Sequence, residues 1–424
     1  MVPRTWLLSA ALAPVALVAL VAPSAAVAQE AGGQTSGRES EKDLRDYVKH
    51  LERRVAELER ERDWPLEQLR ARSPSALEEA VRSINVSGYA EGLYSWNFQH
   101  GGAVAGRRGD TLQFSQLRAG DEDENGFSFR TLELAAERPL TMNGSTGFRV
   151  ALHYGNAARL EDVDPAFDTT TDAFAVPEAN FSWRAPFSPT DHVDLTIGKF
   201  RTWFGFETVE SSSNWLVTRS ANIAFGTPVT HTGLRAVAPV ADKVEVGLAF
   251  VNGWDEVRDA NDGKTGIAHV AFGRFDDWLS SKFQINVSYG AVEGVGTHQA
   301  DKRRLFEVLW DGKLSEEIEV AVDVLWGDMP GRDWHGASAY FRHHFADATW
   351  LAARGSWYAD DALATSGARI VEGSIALFHE LAKDLVLGLE YRHDFSKSPG
   401  TFLDASGDPS RNQDTLSASF LYQF

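Results

Sequence analysis

The feature that most constrains this chain is a strict two-residue alternation of apolar and polar side chains, running from about residue 84 to Phe424. In 415–424, Leu416, Ala418, Phe420, Tyr422 and Phe424 share one face. Thr415, Ser417, Ser419 and Gln423 take the other, with Leu421 the exception. In 317–326, Ile318, Val320, Val322, Val324 and Trp326 alternate with Glu317, Glu319, Ala321, Asp323 and Leu325. Leu385, Leu387, Leu389 and Tyr391 oppose Asp384, Gly388, Glu390 and Arg392 in the same way. Successive side chains of a strand point to opposite faces, so this period specifies β-strands that are apolar on one side and charged on the other.

Such strands suit either a soluble sandwich, which buries the apolar face between two sheets, or a membrane barrel, which turns it to lipid around a watery lumen. Connection lengths favour the barrel. About sixteen alternating segments can be marked off, with long connections at 99–124, 156–173, 203–228, 253–264, 292–302, 327–333, 359–368 and 395–412. Short turns such as Pro239–Asp242, Gly312–Ser315 and Phe345–Ala348 lie between them. Long loops on one side, tight turns on the other and an even strand number describe an outer-membrane barrel. Trp203, Trp254, Trp278, Trp326 and Trp357 fall near strand ends, where an aromatic girdle would sit. The expected fold is an all-β, transmembrane antiparallel barrel over 84–424. Pairing of its last strand with its first removes the edges that hydrocarbon does not tolerate. The ending Phe420, Tyr422, Phe424 resembles the C-terminal signal read by barrel-assembly machinery.

Composition narrows the function. A formal charge of −19 argues against nucleic acid as a partner, and the absence of Cys removes disulfides, thiolate metal sites and a Cys nucleophile. The mean hydropathy of −0.27 does not suit a helical membrane protein. Acidic groups collect in long connections, for example Asp121-Glu122-Asp123-Glu124 and Asp255, Glu256, Asp259 and Asp262. There they either bridge to lipopolysaccharide through divalent cations or are simply solvated.

Before the alternation, Arg4, an apolar stretch from Trp6 to Ala22 and the exit Ala26-Val27-Ala28 describe a secretory signal peptide over 1–28, cleaved after Ala28. The rival, a membrane anchor, has too short and too interrupted an apolar run. A flexible segment, 29–40, leads to a charged stretch, 41–62. There Leu44, Val48, Leu51, Val55 and Leu58 recur at the spacing of a coiled-coil seam, and 63–83 is a linker. The short α-helical segment is either an oligomerisation stalk or a helix lying on the rest of the protein. Val at a with Leu at d favours a pair of helices over three.

Residues 193–238, and Gly198-Lys199-Phe200, Gly205-Phe206-Glu207, Asn214-Trp215 and Thr230-His231-Thr232-Gly233-Leu234 above all, resemble the β-barrel porin family called OmpL-like, itself similar to the phosphate-selective porin group. The resemblance implies an outer-membrane channel for passive diffusion of small hydrophilic solutes or ions, with trimeric assembly.

By parity, Arg149, Arg235, Glu245, Glu307, Glu317, Glu319, Asp323, Arg342, Arg354, Glu372, Glu390 and Arg392 face the lumen and are candidates for the pore lining. The carboxylate excess in 315–326 and 383–394 points to a mild cation preference. The 203–228 connection carries Glu207, Glu210 and Arg219 among Trp203, Phe204, Phe206 and Trp215. It either folds inward as a constriction or packs outside on neighbouring loops. No nucleophile signature accompanies the histidines, so neither catalytic nor cofactor or metal residues are expected. A barrel hydrolase and a plugged structural or adhesive barrel remain the alternatives.

Overall fold

The computed structural model describes residues 47–54, 56, 82–99, 126–141, 145–160, 174–186, 192–259, 263–273, 281–291, 302–363, 367–398, 401–404, 406 and 408–424. The expected signal peptide, the flexible segment and most of the coiled-coil-like segment and linker lie outside the described residues. The chain divides into two units, Met1–Glu79 and Ala80–Phe424. In the first, residues 47–54 are helical, and the seam positions Val48 and Leu51 are exposed. Among the described residues no helix is long and apolar enough to cross a membrane.

The second unit is a closed antiparallel barrel of sixteen strands. They are β1 Asn85–Asn97, β2 Gly126–Arg138, β3 Thr146–Tyr154, β4 Phe174–Pro186, β5 His192–Arg201 and β6 Thr230–Ala241. β7 Val244–Val251, β8 Thr265–Gly273, β9 Ser281–Ala291, β10 Lys302–Lys313 and β11 Ile318–Met329 follow. β12 Arg332–Ala346, β13 Thr349–Asp360, β14 Ala368–Ala382, β15 Leu385–Ser396 and, at the end, β18 Asn412–Gln423 complete the wall. Two short segments, β16 Phe402–Leu403 and β17 Pro409–Ser410, pair with each other inside the last long connection. Each strand pairs with its sequence neighbour, and β18 closes on β1 in a register that sets Tyr89 opposite Gln423. Gly88 and Phe424 extend that closure by exchanging backbone hydrogen bonds of 3.1 and 3.0 Å. Closure pairs every wall strand on both sides, as a barrel in hydrocarbon requires.

The alternation maps onto this wall directly. Phe181, Ile197, Leu248, Phe250, Val324, Leu389 and Leu416 are among a belt of large apolar side chains exposed on the outer surface. In water such a belt would be a severe liability; against lipid it is the favourable surface. The residues between them face inside, and most are buried or half-buried.

One expected long connection is instead a tight turn. Between β11 and β12, Pro330 and Gly331 reverse the chain in two residues, with Gly331 at φ 79°. Pro presets φ for the first central position of a type II turn, and Gly accepts the positive φ of the second. The sorting of loop lengths is therefore not strict. Two-residue turns also join β12 to β13 and β14 to β15.

Candidate pore constriction

The connection between β5 and β6, residues 202–229, lies inside the barrel. Its apolar side chains account for this. Phe204 packs with Leu305, Leu325, Trp334, Tyr358 and Ile370 of the inner wall, while Leu216 and Val217 pack with Leu93, Tyr340 and Phe378. Phe206 meets Tyr340 and Trp215 at ring distances of 4.5 and 5.0 Å, and Trp203 stacks on His269 at 4.9 Å. Burial of one such side chain is worth about 1.5–3 kcal/mol. These wall residues occupy lumen positions by parity, so the inner face is apolar where the loop covers it.

Polar anchors from β2, β10, β11, β13 and β15 tie the loop to the wall. Arg354 of β13 donates to Glu207 Oε1 at 2.5 Å and to the Thr218 carbonyl at 2.7 Å, and it also pairs with Glu372 of β14. The second oxygen of Glu207 accepts from the Ser220 N–H at 2.9 Å and from its hydroxyl at 2.5 Å. On β15, Glu390 accepts from the Thr218 N–H at 2.9 Å, and Arg392 donates to the Arg219 carbonyl at 2.5 Å. Glu307 of β10 accepts from the Gly205 N–H at 2.7 Å, and Asp323 of β11 from the Phe206 N–H at 3.3 Å. From the opposite side, Arg130 of β2 donates to the Val217 carbonyl at 2.5 Å. Burial alone would raise the Glu207 carboxyl, but Arg354, the Ser220 donors and Arg219 outweigh it and hold it below the usual carboxylate range. Arg219 turns back on its own loop, donating to the Thr208 and Val209 carbonyls at 2.8 and 2.7 Å.

The inward-facing candidates thus separate by what they touch. Glu307, Asp323, Arg354, Glu372, Glu390, Arg392, Glu207 and Arg219 are all buried, at 3% exposure or less. They spend their hydrogen bonds on the loop and on one another. The groups with exposure toward the lumen are others. Arg149 pairs with Glu137 at 2.7 Å and with Glu178, and Glu245 is 48% exposed with an oxygen 3.7 Å from His269 Nε2. Arg342 donates to Glu319 at 2.6 Å and lies over the Trp215 ring at 4.4 Å. Arg235 lies over Phe200 at 4.7 Å, and Glu210 pairs with Arg201. Glu317 stands outside β11, exposed in the turn before it, where its carboxylate accepts from Ser315 Oγ at 3.0 Å. Phe420, Tyr422 and Phe424 are exposed on the outer surface. Beside Trp215 opens a cavity of about 500 Å³ lined by Lys243, Lys282, Asp311, Lys313 and Glu319.

Some residues that build the site carried no signal in a strand-by-strand reading. Arg130, Glu91, Glu133 and His153 meet the loop or its anchors from β1, β2 and β3. Phe402 of β16 is buried in the same apolar cluster as Phe204. At the far end of the loop, Asp255 accepts from the Val229 and Thr230 N–H groups at 2.7 Å each. Burial raises its carboxyl to about 6, against the opposing pull of those two donors, Lys199 and Arg303. Apolar residues at lumen parity, such as Leu325 and Leu421, were the available clue that something packs inside.

A family model described as putative beta-barrel porin-2, OmpL-like, matches residues 83–424. No curated protein matches the chain. Among solved structures, OprB of Pseudomonas putida is similar at a TM-score of 0.55 and 9% identity, over 82% of this chain and 96% of that one. The outer membrane channel DcaP of Acinetobacter baumannii gives 0.54 and 10%, over 80% and 97%. The trimer form of OmpT, an outer membrane protein of Vibrio cholerae, gives 0.51 and 12%, over 80% and 99%. At these identities the likeness is one of fold.

Proposed function

This chain belongs to the putative beta-barrel porin-2, OmpL-like, family of outer-membrane barrels, and from that premise we propose that it is a non-enzymatic channel for passive diffusion of small hydrophilic solutes or ions, narrowed by the 202–229 loop. The observation that carries the reading is the anchoring of that loop across the lumen by Glu207, Arg354, Glu390 and Arg392. A loop held this way limits the bore without closing the wall. Arg149, Glu245 and Arg342, near the short-turn ends of β3, β7 and β12, keep exposure.

The preference is mildly cationic. Among the described residues the buried charged groups are eleven carboxylates against four guanidiniums, not counting histidines. Although most are hydrogen-bonded, their summed field still acts on the lumen through low-dielectric surroundings. Residues 1–28 act as a cleaved export signal, Phe420, Tyr422 and Phe424 serve recognition by the assembly machinery, and acidic loops meet lipopolysaccharide. Like the trimer form of OmpT, the protein assembles as a homotrimer.

The test is the reversal potential of the refolded mature protein in a planar bilayer under a salt gradient. Cation selectivity is expected. An anion-selective potential overturns the sign, and silence from a folded, heat-modifiable barrel overturns the channel in favour of a plugged barrel.

A further inference from the structure

Where the inward loop passes β2 and β3, three ligand-type side chains converge. Glu133 of β2 and His153 of β3 are opposite each other in the strand register and both face inward. His153 is fully buried, and its Nε2 lies 2.6 Å from Glu133 Oε2. Glu210, from the loop, brings a third carboxylate oxygen, so that one atom from each residue lies within 4.8 Å of the others. Glu210 also pairs with Arg201. The Tyr89 ring stands edge-on to His153 at 6.4 Å, and its hydroxyl oxygen accepts from the Ser211 N–H at 3.2 Å, fixing the loop next to Glu210. On the same strand as Tyr89, Glu91 is buried with its Oε2 unpartnered, so this corner of the lumen carries an unspent acceptor as well.

We propose that Glu133, His153 and Glu210 form a binding site for a borderline divalent metal ion of the zinc class, which latches the constriction loop to the β2–β3 wall. The chemistry selects the ion. A buried imidazole with two carboxylates is a donor set for zinc-like cations, whereas calcium and magnesium favour oxygen ligands alone. Three protein ligands leave the fourth tetrahedral position to water, the pattern of an accessible zinc site. A tetrahedral ion at about 2.0–2.2 Å from each donor holds them about 3.4 Å apart, so its entry parts His153 Nε2 from Glu133 Oε2, now 2.6 Å apart, and ties Glu210 to both. The ion enters between His153 Nε2 and Glu133 Oε2 and displaces any proton held there. Imidazole therefore binds in its neutral form with its proton on Nδ1. Two carboxylates neutralise the ion, and Arg201 remains beside Glu210.

The latch is separable from conduction, because metal binding is read without current. Refolded mature protein in detergent is dialysed against Zn²⁺ and against Co²⁺, with Glu210→Gln, His153→Asn and wild type compared. The wild type is expected to hold one tight ion per barrel, and its Co²⁺ form to show the visible absorption of a four-coordinate site. Glu210→Gln, a change in the loop that also removes the charge paired with Arg201, is expected to bind at least tenfold more weakly and to lose that absorption. His153→Asn is expected to do the same. A wild type that takes up no stoichiometric ion overturns the proposal. So does a Glu210→Gln barrel that binds as the wild type does, and this comparison decides the matter even if His153→Asn fails to refold.

Discussion

Arg354 Nη1 lies 2.5 Å from Glu207 Oε1, joining the wall of the barrel to the middle of its inward loop across 147 positions of sequence. Both groups are buried. An ion pair in that setting is costly to create and more costly to break, because removal of one partner leaves an uncompensated buried charge.

Because Arg354 keeps Glu372 as a partner, Glu207→Gln is expected to destabilise the loop by about 1–3 kcal/mol. Urea unfolding of the refolded barrel, or faster proteolysis within 202–229 at unchanged barrel heat-modifiability, reads that loss. Since Glu207 is held below the usual carboxylate range, its contribution is present at neutral pH and disappears as the pH falls through its lowered value.

Asp255 behaves in the opposite sense. Folded, it keeps its proton up to about pH 6, whereas an unfolded aspartate releases it near pH 3.9. The folded state binds more protons between these values, so the stabilisation is complete below about pH 4 and is lost as the pH rises through about 6. Asp255→Asn keeps an acceptor for the Val229 and Thr230 N–H groups and removes the buried charge. Unfolding midpoints measured from pH 4 to 8 should slope for the wild type and flatten for this variant.

Two glutamates that look alike by parity are expected to differ in current. Glu245 keeps exposure toward the lumen, and Glu317 sits in an outer turn. Glu245→Gln should move the reversal potential toward anions, while Glu317→Gln should leave it unchanged. An equal shift from both would show that the parity assignment, and not the observed placement, describes the pore.

The outer belt makes a prediction about depth. Leu389 is exposed on the outer face of β15, and Leu389→Arg near the midplane should cost about 2–4 kcal/mol in a lipid bilayer. Folding titrations into vesicles measure this, and a neutral effect would argue that the belt does not face lipid.

The wall was legible in the sequence because a strand's period is short and lipid on one side enforces it. The end of β9 at Ala291 agrees with the long connection expected from residue 292. What packs inside the wall was much less legible. A two-residue period states only that Asp323, Glu390 and Arg392 point inward; whether they meet water or a loop depends on residues more than a hundred positions away. Leu421, the exception to the alternation, is part of the inner face, as is Leu325. Glu317 lies outside the strand because β11 starts at Ile318, three residues later than the 315 expected from the alternation. Within the expected 327–333 connection, Pro330-Gly331 reverses the chain in two residues, so β11 and β12 extend into what spacing alone marks as a loop.

The most direct test of a channel narrowed by an anchored inner loop is the unitary conductance of the refolded wild type beside Arg354→Ala. Discrete steps in the wild type, with larger and more fluctuating steps once the anchor is cut, are the expected result. Identical steps in both proteins, or none from either folded barrel, would contradict it.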